Sequence, residues 1–357
     1  MIAIGGCMHM RFLPALGVAV ACAAATVSAQ TPAPRPAPAT QKAAGGTGAS
    51  TARKYVVGRT PWGDPDLQGN WNNKQEVNTP LERPDEWAGK RISDISEKEL
   101  ADAVVERQRA QVLRYENIIG VPIHWIDRLD SQNSRPWFVI DPPDGKIPPR
   151  TEEGKKRADA VAAARKGRGT ADSYTDRGLW DRCASRGPGV TEMQPKVYGN
   201  SYQILQSKDY VAIRYEMIHE TRLIPIEGRG AARAHISPIL TSVYGDATAR
   251  WDGNTLVVDT VNYNGKTAFQ GSNEGLHTIE RFTRTAPNRI EWTATAEDPH
   301  TWARPWTLSL PLQEDDAQPI FEYACHEGNY ALRNILAGAR QDEKTGRIQD
   351  RPLDAEN

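Results

Sequence analysis

Residues 209–228 read DYVAIRYEMIHETRLIPIEG. Every second position is apolar or aromatic at first: Val211, Ile213, Tyr215, Met217, with His219 and Leu223 on the same face. Tyr210, Arg214, Glu216, Glu220 and Arg222 fall on the other. A period of two is the mark of a strand with one buried face. The same rhythm continues downstream. ATARWDGNTLVVDTVNY (247–263) holds two strand-like runs around Asp252-Gly253, a hairpin signal. LHTIERFTR (276–284) and RIEWTATAED (289–298) flank a turn at Ala286-Pro287-Asn288, and WTLSLPLQ (306–313) and IFEYAC (320–325) follow. Strands on short turns, with no helices between them, predict an antiparallel meander closed into a barrel or sandwich. The fold class expected is mainly β, an antiparallel lipocalin- or calycin-like barrel.

Upstream, residues 75–195 read as a long, partly helical insertion rich in Pro and Arg. Ser96 and Glu99 make a capping box, Ile95 and Leu100 a hydrophobic staple, and Leu100, Val104, Val112 and Tyr115 one apolar stripe. A second helix is expected from Thr151 to about Lys166, with Glu152 and Glu153 in its first turn and Gly167 to end it.

The chain of 357 residues does not all enter this fold. Arg11 precedes an apolar run, Phe12 to Ala25, and Val27-Ser28-Ala29 supplies small residues: the pattern of a cleaved signal over 1–29. The run is about 14 residues, short of the roughly 20 that span a bilayer. Ala19-Val20-Ala21-Cys22 leaves a lipid anchor as the alternative. Residues 30–53, mostly Pro, Ala, Gly and Thr, read as a disordered tether; 54–340 as a single β-barrel domain; 341–357 as a solvated tail. Periplasmic or secreted location follows, with no integral membrane segment left after cleavage. Cys183 and Cys325 then remain as an even pair in an oxidising compartment and read as a disulfide.

Lys and Arg number 44 against 45 Asp and Glu, so no basic face calls for a nucleic acid. No Gly-x-Ser-x-Gly, glycine-rich phosphate loop or Cys-x-x-Cys appears, and no histidine pair has metal-ligand spacing; no cofactor and no metal are expected. Ten tryptophans point to a filled core or an aromatic-lined cavity.

Gly69-Asn70-Trp71 resembles the Gly-x-Trp on the first strand of lipocalin-type barrels, where the glycine allows close approach and the Trp plugs the barrel end. More widely, TPWGDPDLQGNW (60–71), IPPRTEEGKKR (147–157), DRC (181–183), QILQSKDYVAIRYEMIHETRLIPIEGR (203–229), RWDGNTLVVDTVNYNG (250–265), LHTIERFTRT (276–285), EDPHTWARPWT (297–307) and YACHEGNY (323–330) resemble, in this order, a family of secreted bacterial proteins of largely unassigned function. The resemblance covers most of the chain after residue 54 and implies export and a β-rich barrel. GRGAARAHISP (228–238) departs from the shorter Gly-Arg-x-His-Pro connection of that family, so no role is carried over to His235.

Candidate site residues come from four places. In Cys325-His326-Glu327 the cysteine is expected in the disulfide, which leaves His326 as an acid–base candidate and Glu327 as a ligand contact at a strand end. In LHTIER, His277 and Arg281 share one face, and Thr278 and Glu280 the other. His277 and Glu280 are candidate acid–base groups. Glu280 alternatively pairs with Arg214 or Arg222 as a structural ion pair, and Asp259 reads as a cross-strand partner. Trp302, Arg304 and Trp306 share a face if extended, giving a cation–π ladder that either closes the barrel or forms a binding wall with Arg281. Tyr215 and His219 lie on the apolar face, His219 as a hydrogen-bonded core residue or a ligand contact. The first functional reading is an exported barrel that binds a small organic ligand in an aromatic-lined cavity. The alternative is a cofactor-independent lyase, isomerase or hydrolase using these His and Glu groups; a structural envelope protein is the third.

Overall fold

Ten strands carry the fold: β1 (Gly69–Asn72), β2 (Val139–Asp141), β3 (Ser201–Gln206), β4 (Tyr210–Tyr215), β5 (Thr221–Pro225), β6 (Asp246–Asp252), β7 (Thr255–Val261), β8 (His277–Ala286), β9 (Arg289–Glu297) and β10 (Trp306–Glu314). They come from a computed structural model, which describes residues 55–119, 134–230, 235–317 and 319–346. The expected signal sequence, the tether and the last residues of the tail lie outside the described residues.

Nine strands form one path, β5-β4-β3-β1-β10-β9-β8-β7-β6, with each neighbouring pair antiparallel. β2 is added beside β10 at Thr307 and Leu308. The sheet curls until its two ends nearly meet. An odd number of antiparallel strands brings the end strands together in the same direction, and here they touch through one parallel bridge, Ile226 to Ala249. Glu227 N donates to Ala249 O there at 2.7 Å. The mainly β, barrel-like reading therefore holds, and the barrel has a seam between β5 and β6.

The stretch 209–228 makes two strands, not one. The chain turns tightly at residues 216–220, with Ile218 and His219 at φ 58° and 47°. Side chains seldom adopt that region. It is held by Tyr215 N donating to Glu220 O at 2.8 Å and by Ser201 N donating to the Glu216 carboxylate at 3.1 Å. The turn shifts the alternation by one residue, and such a slip exchanges the faces. Arg222 and Ile224 therefore point inward, while Leu223, expected inward, is 64% exposed. This is the main correction to the alternation read from the sequence. A second concerns 320–325, which pair with no strand among the described residues.

The lumen is full. Trp71, Trp292, Trp306, Tyr202, Tyr215 and Phe282 are each less than 2% exposed and pack with Leu308, Leu310, Leu312, Ile204 and Ile213 in one cluster. Trp71 donates its indole N–H to Leu67 O at 3.0 Å, so the one polar atom of the ring is satisfied.

The insertion contributes helices α1 (Glu97–Ile119), α2 (Glu152–Arg165) and the short α3 (Gly189–Glu192). Ser96 and Glu99 cap α1 reciprocally, and the Thr151 hydroxyl accepts from Gly154 N at the start of α2. Val190 of α3 and the adjoining Met193, both 0% exposed, join the barrel cluster. Cys183 and Cys325 form a disulfide across 142 residues of sequence, tying the insertion to the C-terminal segment. That segment ends in α4 (Ala331–Thr345), which runs further than the tail boundary expected at 341. No helix among the described residues is long and apolar enough to cross a membrane.

Candidate functional site

The candidate residues separate onto the two faces of the sheet. Inside, Glu280 meets Arg222, with Nη2 and Oε2 2.7 Å apart and both side chains sealed from water. Arg222 also donates to the Tyr215 hydroxyl at 3.2 Å and to Thr260 Oγ1 at 3.3 Å, and Trp292 Nε1 donates to Glu280 at 3.3 Å. Tyr263 donates to or accepts from Thr278 Oγ1 at 2.7 Å, and burial pushes its phenol up to about 12. This network fills the core; Glu280 and Tyr215 belong to it and are not reachable from solvent.

Trp302 and Trp306 are buried too, edge to face with ring centroids 5.6 Å apart, and Phe269 stacks on Trp306 at 5.5 Å. Arg304 does not lie between them as the extended spacing implied. The chain turns through residues 299–304 before β10 begins, so Arg304 is exposed and pairs with Asp141 at 2.7 Å. Arg281 pairs with Asp252 on the surface at 2.6 Å. His219 is exposed, its Nδ1 2.8 Å from Tyr323 O rather than in the core. His326 and Glu327 are exposed in a turn beside the disulfide, and not at a strand end.

On the outer face, four adjacent strands build a different arrangement. His277 of β8 stands directly opposite Glu297 of β9 in register. Asp259 of β7 is the diagonal neighbour of His277, because it pairs with Ile279, two residues along. Asp246 of β6 stands in the same diagonal relation to Asp259, which faces Thr248. Cross-strand and diagonal side chains on one face lie within reach of one another. His277 Nδ1 is 2.9 Å from Glu297 Oε2, and its Nε2 is 3.2 Å from Asp259 Oδ1. His235, from the connection between β5 and β6, closes the row: Nε2 lies 3.0 Å from Asp259 Oδ1 and Nδ1 3.1 Å from Asp246 Oδ2. The order is Asp246, His235, Asp259, His277, Glu297.

A carboxylate only accepts, and a neutral imidazole has one donor and one acceptor. His277, held by a carboxylate at each ring nitrogen, satisfies both only when doubly protonated. The hydrogen bond to Asp259 holds His277 above its ordinary pKa; burial opposes it, and the attraction of that carboxylate and the bond to Glu297 add to the rise. The same bond from His277 holds Asp259 below the usual carboxylate range. His277 is 30% exposed and Asp259 25%, so the row is supported by protein on one side and open to water on the other. Among the described residues no three His, Cys, Asp or Glu side chains are gathered so as to hold a metal ion.

Comparison with protein-family models, curated proteins and solved structures finds no match for this chain. The site therefore rests on its own geometry. Sequence reading singles out His277 and gives Asp259 as a cross-strand partner, but misses His235, Asp246 and Glu297. Hairpin counting carries part of that information. The turn at 287–288, with a bulge between Arg284 and Ala286 that shifts the count by one, sets Glu297 opposite His277, and the turn at 253–254 sets Asp246 near Asp259. His235 is placed by an irregular connection, which leaves no periodic signal.

Proposed function

We propose that this protein is an exported, cofactor-independent acid–base catalyst acting at the outer face of β6–β9, with His277 as the proton-transfer group. The observation that carries the reading is the placement of His277 between Asp259 and Glu297 while still accessible. An acid–base group held in orientation by a carboxylate on its far nitrogen is the arrangement that general acid–base catalysis requires. Asp259 orients the ring and stabilises its charged form; Glu297, 42% exposed, is the partner a substrate would displace. Lyase, isomerase and hydrolase reactions all fit such a group. Ligand binding inside an aromatic-lined cavity draws less support, because the rings expected to line it are packed against one another. The disulfide agrees with an oxidising compartment, and with the signal-like residues 1–29 it supports export to the periplasm or beyond.

The test works with an unidentified substrate. The chain is incubated with a small-molecule extract in deuterated water, and enzyme-dependent mass changes are read by mass spectrometry. Isomerisation or reversible elimination adds a deuteron; hydrolysis adds a water. Replacing His277 with Ala is expected to slow the change by about 10²–10⁴-fold. Undiminished turnover in that variant, or no mass change with the native chain, overturns the proposal.

A further inference from the structure

We infer that His235 is a positioning residue of the same site, acting through Asp259 to make His277 a readier proton donor. The inference rests on the reading of His277 as the proton-transfer group. Its geometric ground is one shared atom. Asp259 Oδ1 receives His235 Nε2 at 3.0 Å and His277 Nε2 at 3.2 Å, so one carboxylate oxygen serves two imidazoles.

His235 is built into this place. Its other ring nitrogen lies 3.1 Å from Asp246 Oδ2, Ile236 N donates to the same oxygen at 2.7 Å, and Asn262 Nδ2 donates to Ile236 O at 3.1 Å. The irregular connection is thus pinned beside β6 and β7. Ionised Asp246 and Asp259 only accept, so His235, like His277, satisfies both of its neighbours only when doubly protonated.

Two cations on one carboxylate oppose each other. Their facing nitrogens are no further apart than the two contacts laid end to end, about 6 Å. The rings are 28% and 30% exposed, so water and salt screen only part of the repulsion. Asp246 secures the charge of His235, and Glu297 that of His277. Arg281, the next charged side chain on that face of β8, is engaged by Asp252. Groups that interact this closely titrate as a pair. The row therefore takes up two protons in succession, and His277 beside a charged His235 releases its proton at lower pH than it would alone. Proton transfer is fastest from a group that gives and takes its proton near the working pH. His235 draws His277 toward that condition, against the hold of Asp259 and Glu297.

The test is a ring-proton NMR titration of the full chain. It needs no substrate, so its failure is distinct from failure of the catalytic reading. The native His277 curve is expected to be broader than that of a single site. In His235→Gln, which keeps an N–H for Asp259 but carries no charge, the curve should sharpen and its midpoint rise by about half to one pH unit. Asp246→Asn removes the carboxylate that holds the charge of His235, and should shift the His277 midpoint the same way by less. A merely structural His235 would act in the opposite sense, since its loss would loosen Asp259 and lower the midpoint. A midpoint that falls or stays in place in either folded variant overturns the inference, as does a single-site curve in the native chain.

Discussion

Arg222 and Glu280 meet in the middle of the barrel from strands that are not neighbours, 2.7 Å apart and with side chains 4% and 0% exposed. The pair bridges the seam strand β5 to β8 across the lumen. Removing one partner strands the other charge, which costs about 3–5 kcal/mol, whereas replacing both by apolar groups of similar size is often neutral. Glu280→Ala should therefore destabilise by that amount in urea unfolding, and Arg222→Met with Glu280→Leu should recover most of it. Additive losses in the double variant would contradict the pairing.

Gly189 marks where the insertion meets this pair. A Cβ at that position would run into the Arg222 guanidinium. Gly189→Ala should cost about 1–3 kcal/mol, the usual range for overpacking a core. Shortening the arginine as well, with Arg222→Ala, should relieve the clash, so the combined cost falls below the sum of the two single costs. Unfolding midpoints of the three variants check this.

The Cys183–Cys325 link closes a loop spanning 142 residues. In the chain-entropy model a loop of that length is worth roughly 4–5 kcal/mol. Replacing both cysteines by serine should lower stability by that order. It should also loosen Tyr323, stacked on Tyr198 at 6.4 Å, which amide exchange of 319–330 would register.

The Asp259–His277 pair gives a stability with two edges in pH. His277 has its pKa raised on folding, so its contribution is complete below the unfolded value near 6.5 and fades as pH climbs through the higher folded value. Asp259 has its pKa lowered, so its contribution is complete above the unfolded value near 3.8 and fades as pH drops through the lower folded value. The difference in unfolding free energy between the native chain and His277→Gln should be greatest between those values and decline on both sides.

How much of this is legible in the sequence depends on the residue. Strands β6 to β10 follow from period-two patterning and turn chemistry. Leu223 and Arg222 exchange their expected faces because the positive-φ turn at Ile218 and His219 breaks the alternation without a glycine or proline to announce it. Glu280 stands out as a carboxylate among apolar neighbours, and Arg222 is one of two partners expected for it. Arg304 departs from its expected place because the turn ahead of β10 interrupts the extended spacing. His235 leaves no trace in the pattern, since an irregular connection carries it to the row.

The central claim is that Asp259 and Glu297 hold His277 as a charged, accessible imidazole. An NMR titration of the histidine ring resonances tests it most directly. His277 should titrate above the ordinary value of 6.5 and move back toward it in Asp259→Asn. Titration at or below that value in the native chain, or no response to Asp259→Asn, would contradict the account.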